Sequence, residues 1–530
     1  MTITATLQRT LTGTLAALTL IGTLAGCGSS GISSTSQTSN NTQSEETRNS
    51  AGKHISRVSV HDPSVVKANG KYYVFGSHRA WAKSSDLVNW HYFKNNLSAD
   101  YEKIFDKIWK EWPKQSSNPD VKGNMWAPDV VWNPTMKKWC MYLSLNGANY
   151  QSVIVLLTAN NIEGDWTYVG PVVYSGFNDA DKDRTDVPKV LGENADIGRY
   201  LSADDTEINA IDPCVKADTN GDMWMTFGSW FGGMWMIKLD NATGLRDYSR
   251  TYPTVTDQSD GYYGVKLGGG YGNSGEGSYL LHTNGWWYLF TSYGHLEQTG
   301  GYQIRMFRSK SITGPYIDES GNAAVSTSAS ANNWEEDTGI RLMASNQWSG
   351  TDNGDIEVSQ GHNSALADTD GTDYLIYHTR FSDRGETHEI RTRQLLPTAD
   401  GWLVAAPYEY TGTKANAKGY KASELAGTYE FVMQNPNTYF KGPKKLGDKT
   451  STDYKGVNKG TDIKLEADGK VTGDRKGTWK AKTGTNELTI TLDGITYVGA
   501  FDKLPRDKDG KSVMTFSALG NNICIWGSKK

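Results

Sequence analysis

Apolar residues in this chain fall mostly in short runs broken by Gly, Asn-Gly or Asp-Gly, a pattern that predicts strands joined by hairpins. The stretch from His61 to Ser77, HDPSVVKANGKYYVFGS, sets an acid before a small residue, then an apolar run, a turn at Asn69-Gly70 and a second apolar run. Variants return as WAPDVVWNPTMKKWCMYLSLN from Trp126, NAIDPCVKADTNGDMWMTFGSW from Asn209, GEGSYLLHTNGWWYLFTSYG from Gly275 and GHNSALADTDGTDYLIYHTRF from Gly361. Two short strands around an Asn-Gly or Asp-Gly turn are the signature of a β-hairpin.

Aligned on their acids and amides, the repeats are headed by Asp62, Asp129, Asp212, Glu276 and Asn363, spaced 64 to 87 residues apart. Each interval holds a four-stranded sheet with loops, and sheets repeated in this way pack radially. The expected fold is all-β: a five-bladed β-propeller over residues 55–410, followed by a small C-terminal β-barrel or β-sandwich over 411–530. In a propeller the innermost strands line the axis, so the heads of different repeats converge at one mouth of the channel. Within the first interval, Tyr101, Ile104, Phe105 and Ile108 have helical spacing. The Asp-rich insertion 175–206 is expected to be a surface loop.

Residues 1–27 carry Arg9, then an apolar segment from about Leu11 to Leu24, shorter than a membrane span and suited to a secretory signal. Leu24-Ala25-Gly26-Cys27 resembles a bacterial lipobox, which implies lipidation of Cys27. An ordinary cleaved signal is the alternative. Residues 28–54, rich in Ser, Thr, Asn and Gln, are expected to be a flexible tether. The expected location is the extracellular face, anchored by lipid, or the medium. A net charge of −5 offers no basic face for nucleic acid. Cys140, Cys214 and Cys524 are isolated, without metal-type spacing, and are expected to be buried thiols rather than a disulfide framework. Eighteen Trp and 28 Tyr exceed what a core alone suggests, and aromatic faces serve sugar-binding clefts.

Hydrolysis of a glycosidic bond with inversion needs one carboxylate to activate water and one carboxylic acid to protonate the leaving oxygen, on opposite sides of the sugar. Asp62 and Glu276, on repeats one and four, fit base and acid. Asp212, on repeat three, is expected to adjoin Glu276, orient it and hold it in its acid form by like-charge repulsion. Each has a plainer explanation. An Asp before Pro, as at Asp62 and Asp212, is common at turns. Asp129 heads its repeat within a Trp-Ala-Pro-Asp turn and is left out of catalysis.

The ordered series HDPS, WAPD, NAIDP, SWF, GEGSY and GHNS, spread over residues 55 to 407, resembles glycoside hydrolase family 43. Within that family the chain is most similar to bacterial two-domain endo-α-1,5-L-arabinanases. The resemblance implies that arabinan from plant pectin is bound through Asp62, Gly147, Asn209, Ala210, Ile211, Asp212, Ser229, Trp230 and Phe231. It also implies that His362 ligates a calcium ion, which composition alone would not suggest, because calcium prefers oxygen. Core packing is the competing explanation for Trp230 and Phe231. An exo-acting arabinofuranosidase or β-xylosidase of the same family and a non-catalytic, tethered carbohydrate-binding lipoprotein are the competing functions.

Overall fold

The computed structural model describes residues 45–48, 54–115, 118–202, 206–272, 275–328, 338–351, 356–435 and 456–530. The signal segment, Cys27 and most of the expected tether lie outside these residues. Glu45–Arg48, inside that tether, pairs antiparallel with His54–Arg57.

Each repeat folds as its pattern predicts. The first gives Ser64–Ala68 and Lys71–Gly76, joined by Asn69 (φ 49°) and Gly70 (φ 73°). Two successive positive φ values define the tight turn whose twist matches paired strands, and Asn and Gly adopt them at least cost. Asn284 and Gly285 repeat the device between Glu276–Thr283 and Trp286–Tyr293. The second repeat replaces it with a turn in which the Asn133 side chain accepts from the N–H groups of Thr135 and Met136. Further strands add outward in every repeat, and all pair antiparallel.

The sheets are arranged like a propeller. Asp129 accepts from Ser64 Oγ at 2.5 Å and from the Val215 N–H at 2.6 Å, so one buried carboxylate ties the inner strands of the first three repeats together. Asp368 of the last repeat accepts from Lys67 and Tyr72 of the first. Val65, Val74, Tyr374 and Ile376 share one apolar cluster along the same seam.

Four repeats form free-standing sheets, not five as expected. The strands of the fourth repeat, Glu276–Thr283, Trp286–Tyr293, Gln303–Ser309 and Ile340–Met343, open a twelve-stranded sheet that continues into the C-terminal domain. The junction is a parallel pairing of Arg341 with Ile523. It forms because the outer strand of this repeat is short and leaves its edge to the last strand of the chain, Ile523–Lys529.

The helix expected from spacing is present at Tyr101–Glu111, with Phe105, Ile108 and Trp109 buried. The 175–206 insertion differs from the expected loose loop. Phe177, Val187, Ile197 and Tyr200 are buried, Arg246 Nε lies 3.2 Å from Asp186, and Arg199 Nε lies 3.1 Å from Asp260. The apolar residues scattered among its aspartates fix it against the third sheet.

The C-terminal domain closes into a barrel, because Ile523–Lys529 pairs with both Gly427–Met433 and Ser512–Gly520. Its interior is filled by side chains that include Tyr429, Phe431, Trp479 and Phe516. Its outer face is not independent of the sheets before it. Val432, Leu504, Leu519 and Trp526 join one cluster with Trp348, Leu403 and Tyr408. Cys140, Cys214 and Cys524 are buried, unpaired thiols. Desolvation pushes Cys140 and Cys214 up to about 12.

Trp526 is fully buried where the barrel meets the sheets. Trp526→Ala is expected to destabilise the protein by about 3–5 kcal/mol, read as a lower midpoint in equilibrium denaturation. A loss under about 1 kcal/mol would show that the barrel and the sheets are not coupled there.

Candidate functional site

One backbone step recurs at the head of all five inner strands. Asp62 (φ 53°), Ala127 (39°), Asp212 (59°), Gly277 (62°) and His362 (43°) adopt left-handed conformations that side chains other than Gly rarely take. Pro63, Pro128 and Pro213 follow three of them. Just past the step the pairing register shifts in the second, fourth and fifth repeats. The structural equivalents are therefore Asp62, Ala127, Asp212, Gly277 and His362. The sequence alignment on Asp129, Glu276 and Asn363 is out of step by two, one and one residues, because it followed acids and amides rather than the turn. These five residues line one small cavity on the axis.

Asp62 is buried and saturated with partners. Its Oδ1 lies 2.7 Å from His61 Nδ1 and 3.0 Å from His362 Nδ1, and its Oδ2 accepts from Ser77 Oγ. Ser77 in turn accepts from the Ala127 N–H at 2.8 Å, which fixes the carboxylate against the next repeat. Burial alone would raise the pKa of Asp62, but His362 and His61 outweigh it and hold the group well below the usual carboxylate range. Asp62 is thus an anion under working conditions.

Asp212 sits in the same cavity in a different state. Its Oδ2 accepts from the Gly277 N–H at 3.2 Å, and its own N–H donates to Ser144 Oγ at 3.1 Å. Burial, with the nearby charges of Glu276 and Asp62, pushes it up to about 7 despite His362. His362 is driven the other way. Burial opposes its charge, yet Asp62 and Asp212 raise it to about 10.

Glu276 begins its strand one residue before the left-handed step and does not line the cavity. Three donors aim at its carboxylate: Tyr302 Oη at 2.5 Å on Oε1, and Ser229 Oγ at 3.0 Å with Trp230 Nε1 at 3.1 Å on Oε2. The flanking glycines have packing reasons. A Cβ on Gly275 would sit 1.5 Å from the Ser292 carbonyl oxygen, and one on Gly277 would sit 3.0 Å from the His362 ring.

Trp230 and Phe231 are half-exposed, so core packing does not account for them. Trp230 stacks on His295 with centroids 6.0 Å apart, and Phe231 meets Tyr150 at 4.8 Å. Both occupy left-handed backbone, and the Trp230 N–H donates to the Gly275 carbonyl beside the acid. Asn209 donates through Nδ2 to Asn146 at 2.9 Å. The Ala210 and Ile211 side chains are buried, which leaves them backbone and positioning roles. At Gly147 the missing Cβ makes room for protein, since that atom would lie 2.1 Å from the Gln151 carbonyl oxygen and 2.4 Å from that of Lys114.

Sequence reasoning missed Ser77, Tyr302, His61 and His378. Ser77 and His61 lie inside the motif already quoted, yet nothing in a hairpin pattern singles out a serine at the end of a strand. Tyr302 sits in GGYQIRMF, one tyrosine among 28, without any signal of its own.

Comparison with known proteins bears on this geometry. The profile described as Glycosyl hydrolases family 43 matches residues 52–403, and that of a C-terminal lipocalin-like domain matches 407–527. The chain is 35% identical over 483 residues to an extracellular endo-alpha-(1->5)-L-arabinanase of Bacillus subtilis, which covers 89% of this chain and 93% of that protein. It is 33% identical over 478 residues to the extracellular endo-alpha-(1->5)-L-arabinanase of Thermotoga petrophila, with 88% and 93% covered. A family 43 glycoside hydrolase structure from Bacillus licheniformis superposes with a TM-score of 0.72 at 34% identity, covering 90% of this chain and 99% of that one. An endo-1,5-alpha-L-arabinanase structure from Thermotoga petrophila gives 0.71 at 30% identity with the same coverage.

Gly147→Ala separates packing from ligand contact. The added Cβ meets backbone oxygens that cannot rotate away, so stability is expected to fall by roughly 1–3 kcal/mol, measured by thermal denaturation without ligand. An unchanged midpoint would return Gly147 to a role at the sugar.

Proposed function

This chain belongs to glycoside hydrolase family 43, and from that premise we propose that it cleaves linear α-1,5-linked L-arabinan at internal linkages with inversion. The observation that carries the proposal is the unlike treatment of two carboxylates on different repeats at one channel mouth. Asp62 is kept anionic by His362 and His61, while Glu276 sits outside the cavity under three donors. In the proposed reaction a water loses its proton to Asp62 as it attacks the anomeric carbon. Glu276 gives its proton to the departing sugar oxygen. Ser77 fixes the base, and Ser229, Trp230 and Tyr302 fix the acid. Asp212 takes the modulating and orienting role. Its Oδ2 holds the Gly277 N–H next to the acid, and the Glu276 charge helps set its own ionisation. Trp230 and Phe231 offer half-exposed faces for furanose rings.

The same proposal counts the four leading strands of the merged sheet as the fifth blade of one propeller. Its support is that Gly277 takes the same left-handed step as the other four heads. We place the enzyme outside the cell, as the two arabinanase relatives are described, and tethered by lipid on Cys27. Cys27→Ser is expected to shift the protein from the membrane fraction to soluble material with arabinan cleavage intact. Wild-type protein wholly free in the medium would remove the anchor.

Calcium at His362 is tested by the donors around it. Asp62 takes His362 Nδ1, which leaves Nε2 as the ligand atom in the carboxylate–imidazole–metal arrangement common at metal sites. The cavity also carries the Asp62 and Asp212 carboxylates as acceptors for metal-bound water. These residues fit a hydrated calcium ion, which would supply positive charge beside the clustered acids when bound. Chelation is expected to lower the unfolding temperature, and calcium, but not buffer alone, to restore it. His362→Gln is expected to abolish that difference, and a chelator-sensitive midpoint in this variant would place the ion elsewhere.

The activity itself is tested by viscometry. Linear arabinan is expected to lose viscosity well before arabinose accumulates, whereas an exo-acting enzyme would release arabinose with little early change. Asp62→Asn and Glu276→Gln are each expected to lose about 10²- to 10⁴-fold in kcat while still binding arabino-oligosaccharide. Near-wild-type turnover in either variant would remove that residue from the mechanism.

A further inference from the structure

Beside Asp62 the structure gathers more imidazole than the proposed hydrolysis uses. His61 and His378 lie ring on ring, with centroids 4.0 Å apart and planes 24° from parallel, and His388 meets His61 edge-on at 5.0 Å. His61 Nδ1 is 2.7 Å from Asp62 Oδ1, and His378 Nδ1 is 4.0 Å from the same oxygen. One ligand atom from each of His61, Asp62 and His378 falls within 4.8 Å of the others.

We propose that His61, Asp62 and His378 form a site for a borderline divalent transition-metal ion, Zn²⁺ or Cu²⁺, and that filling it inhibits the enzyme by capturing the base carboxylate. Two imidazoles and one carboxylate select such ions over calcium or magnesium, which take oxygen ligands. In tetrahedral zinc sites with bonds of about 2.0–2.1 Å, ligand atoms lie about 3.3 Å apart, so filling the site draws the trio together by up to about 1.5 Å and turns the stacked rings until both lone pairs meet the ion. His378 Nδ1 accepts from the Asp62 N–H at 3.4 Å and its Nε2 lies 3.5 Å from Arg380 Nη1, so an ion at Nδ1 takes over the lone pair now used by that backbone N–H. Arg380 directs its own charge to Glu386, with Nε 2.7 Å from Oε2. The His61 side chain keeps 15% of its surface exposed, which gives an ion a way in, and three protein ligands leave a position for water. The site shares Asp62 with the calcium position, but its imidazoles, His61 and His378, do not line the cavity that holds His362.

The test is calorimetric titration of the full, calcium-loaded chain with zinc chloride, alongside arabinan hydrolysis at each zinc concentration. One zinc per chain is expected to bind and to abolish hydrolysis, with activity restored by a chelator followed by calcium. His61→Gln and His378→Gln are each expected to weaken zinc binding at least tenfold, with the inhibition midpoint moving in step. Circular dichroism checks both folds, and the partly exposed His61 keeps the test usable if the buried His378 variant unfolds. His362→Gln is expected not to weaken zinc binding. Zinc affinity unchanged in His61→Gln, or absence of binding, overturns the proposal. Zinc that binds through His61 and His378 without inhibiting leaves the metal site standing and overturns the role of Asp62 as base, so the two failures are distinguishable.

Discussion

The left-handed backbone step at the head of each inner strand is the constraint from which the site follows. Asp62, Ala127, Asp212, Gly277 and His362 each pay conformational strain of roughly 1–3 kcal/mol, less for glycine. The strain persists because steps are held from outside: Ser77 Oγ accepts from the Ala127 N–H, Ser144 Oγ from the Asp212 N–H and Ser292 Oγ from the His362 N–H at 2.7 Å. In each case a hydroxyl on or just past the second strand of one repeat braces the head of the next. What differs among the five is only the side chain placed on the step, and a carboxylate, a methyl, a carboxylate, nothing and an imidazole make a polar cavity with unequal walls.

Those unequal walls separate the states of groups that share one small space. Asp62 faces two imidazoles and stays charged, while burial, aided by Glu276 and Asp62 and opposed by His362, pushes Asp212 toward neutrality. Burial acts on both in the same direction, and only at Asp62 do the neighbours overcome it. Asp129 shows what the same acid does away from the axis. It is buried and bonded by Ser64 and Val215, and it works as a structural clasp.

Much of the architecture was legible because strand repeats leave a period-two apolar pattern and their turns demand Asn-Gly or Asp-Gly. The helix at Tyr101–Glu111 was legible for the same kind of reason, through Phe105 and Ile108. The exact register was not. A left-handed residue is a property of the backbone, and Ala127 and His362 carry no residue-type mark of it, so an alignment by acidic character slipped to Asp129, Glu276 and Asn363. Partners such as Tyr302 and His378 come from strands that lie far from their targets in sequence, and pairing across an axis writes no local pattern. The merged sheet was hidden likewise, since nothing in NICIWG reveals that Ile523 will lie beside Arg341.

That junction ties the order of synthesis to the order of assembly. The sheet that begins with Glu276 ends in Ile340–Met343, an edge whose neighbour is the seven-residue strand Ile523–Lys529 at the very end of the chain. A polypeptide that emerges from its N-terminus can complete the repeat bearing Asp62 early, but the repeat bearing Glu276 keeps an open edge until Ile523–Lys529 arrives. Open edges recruit other strands, and covering them late exposes a chain to mispairing. The sheet that holds Glu276 is therefore sealed along that edge only once the strand Ile523–Lys529, far downstream in sequence, has been made.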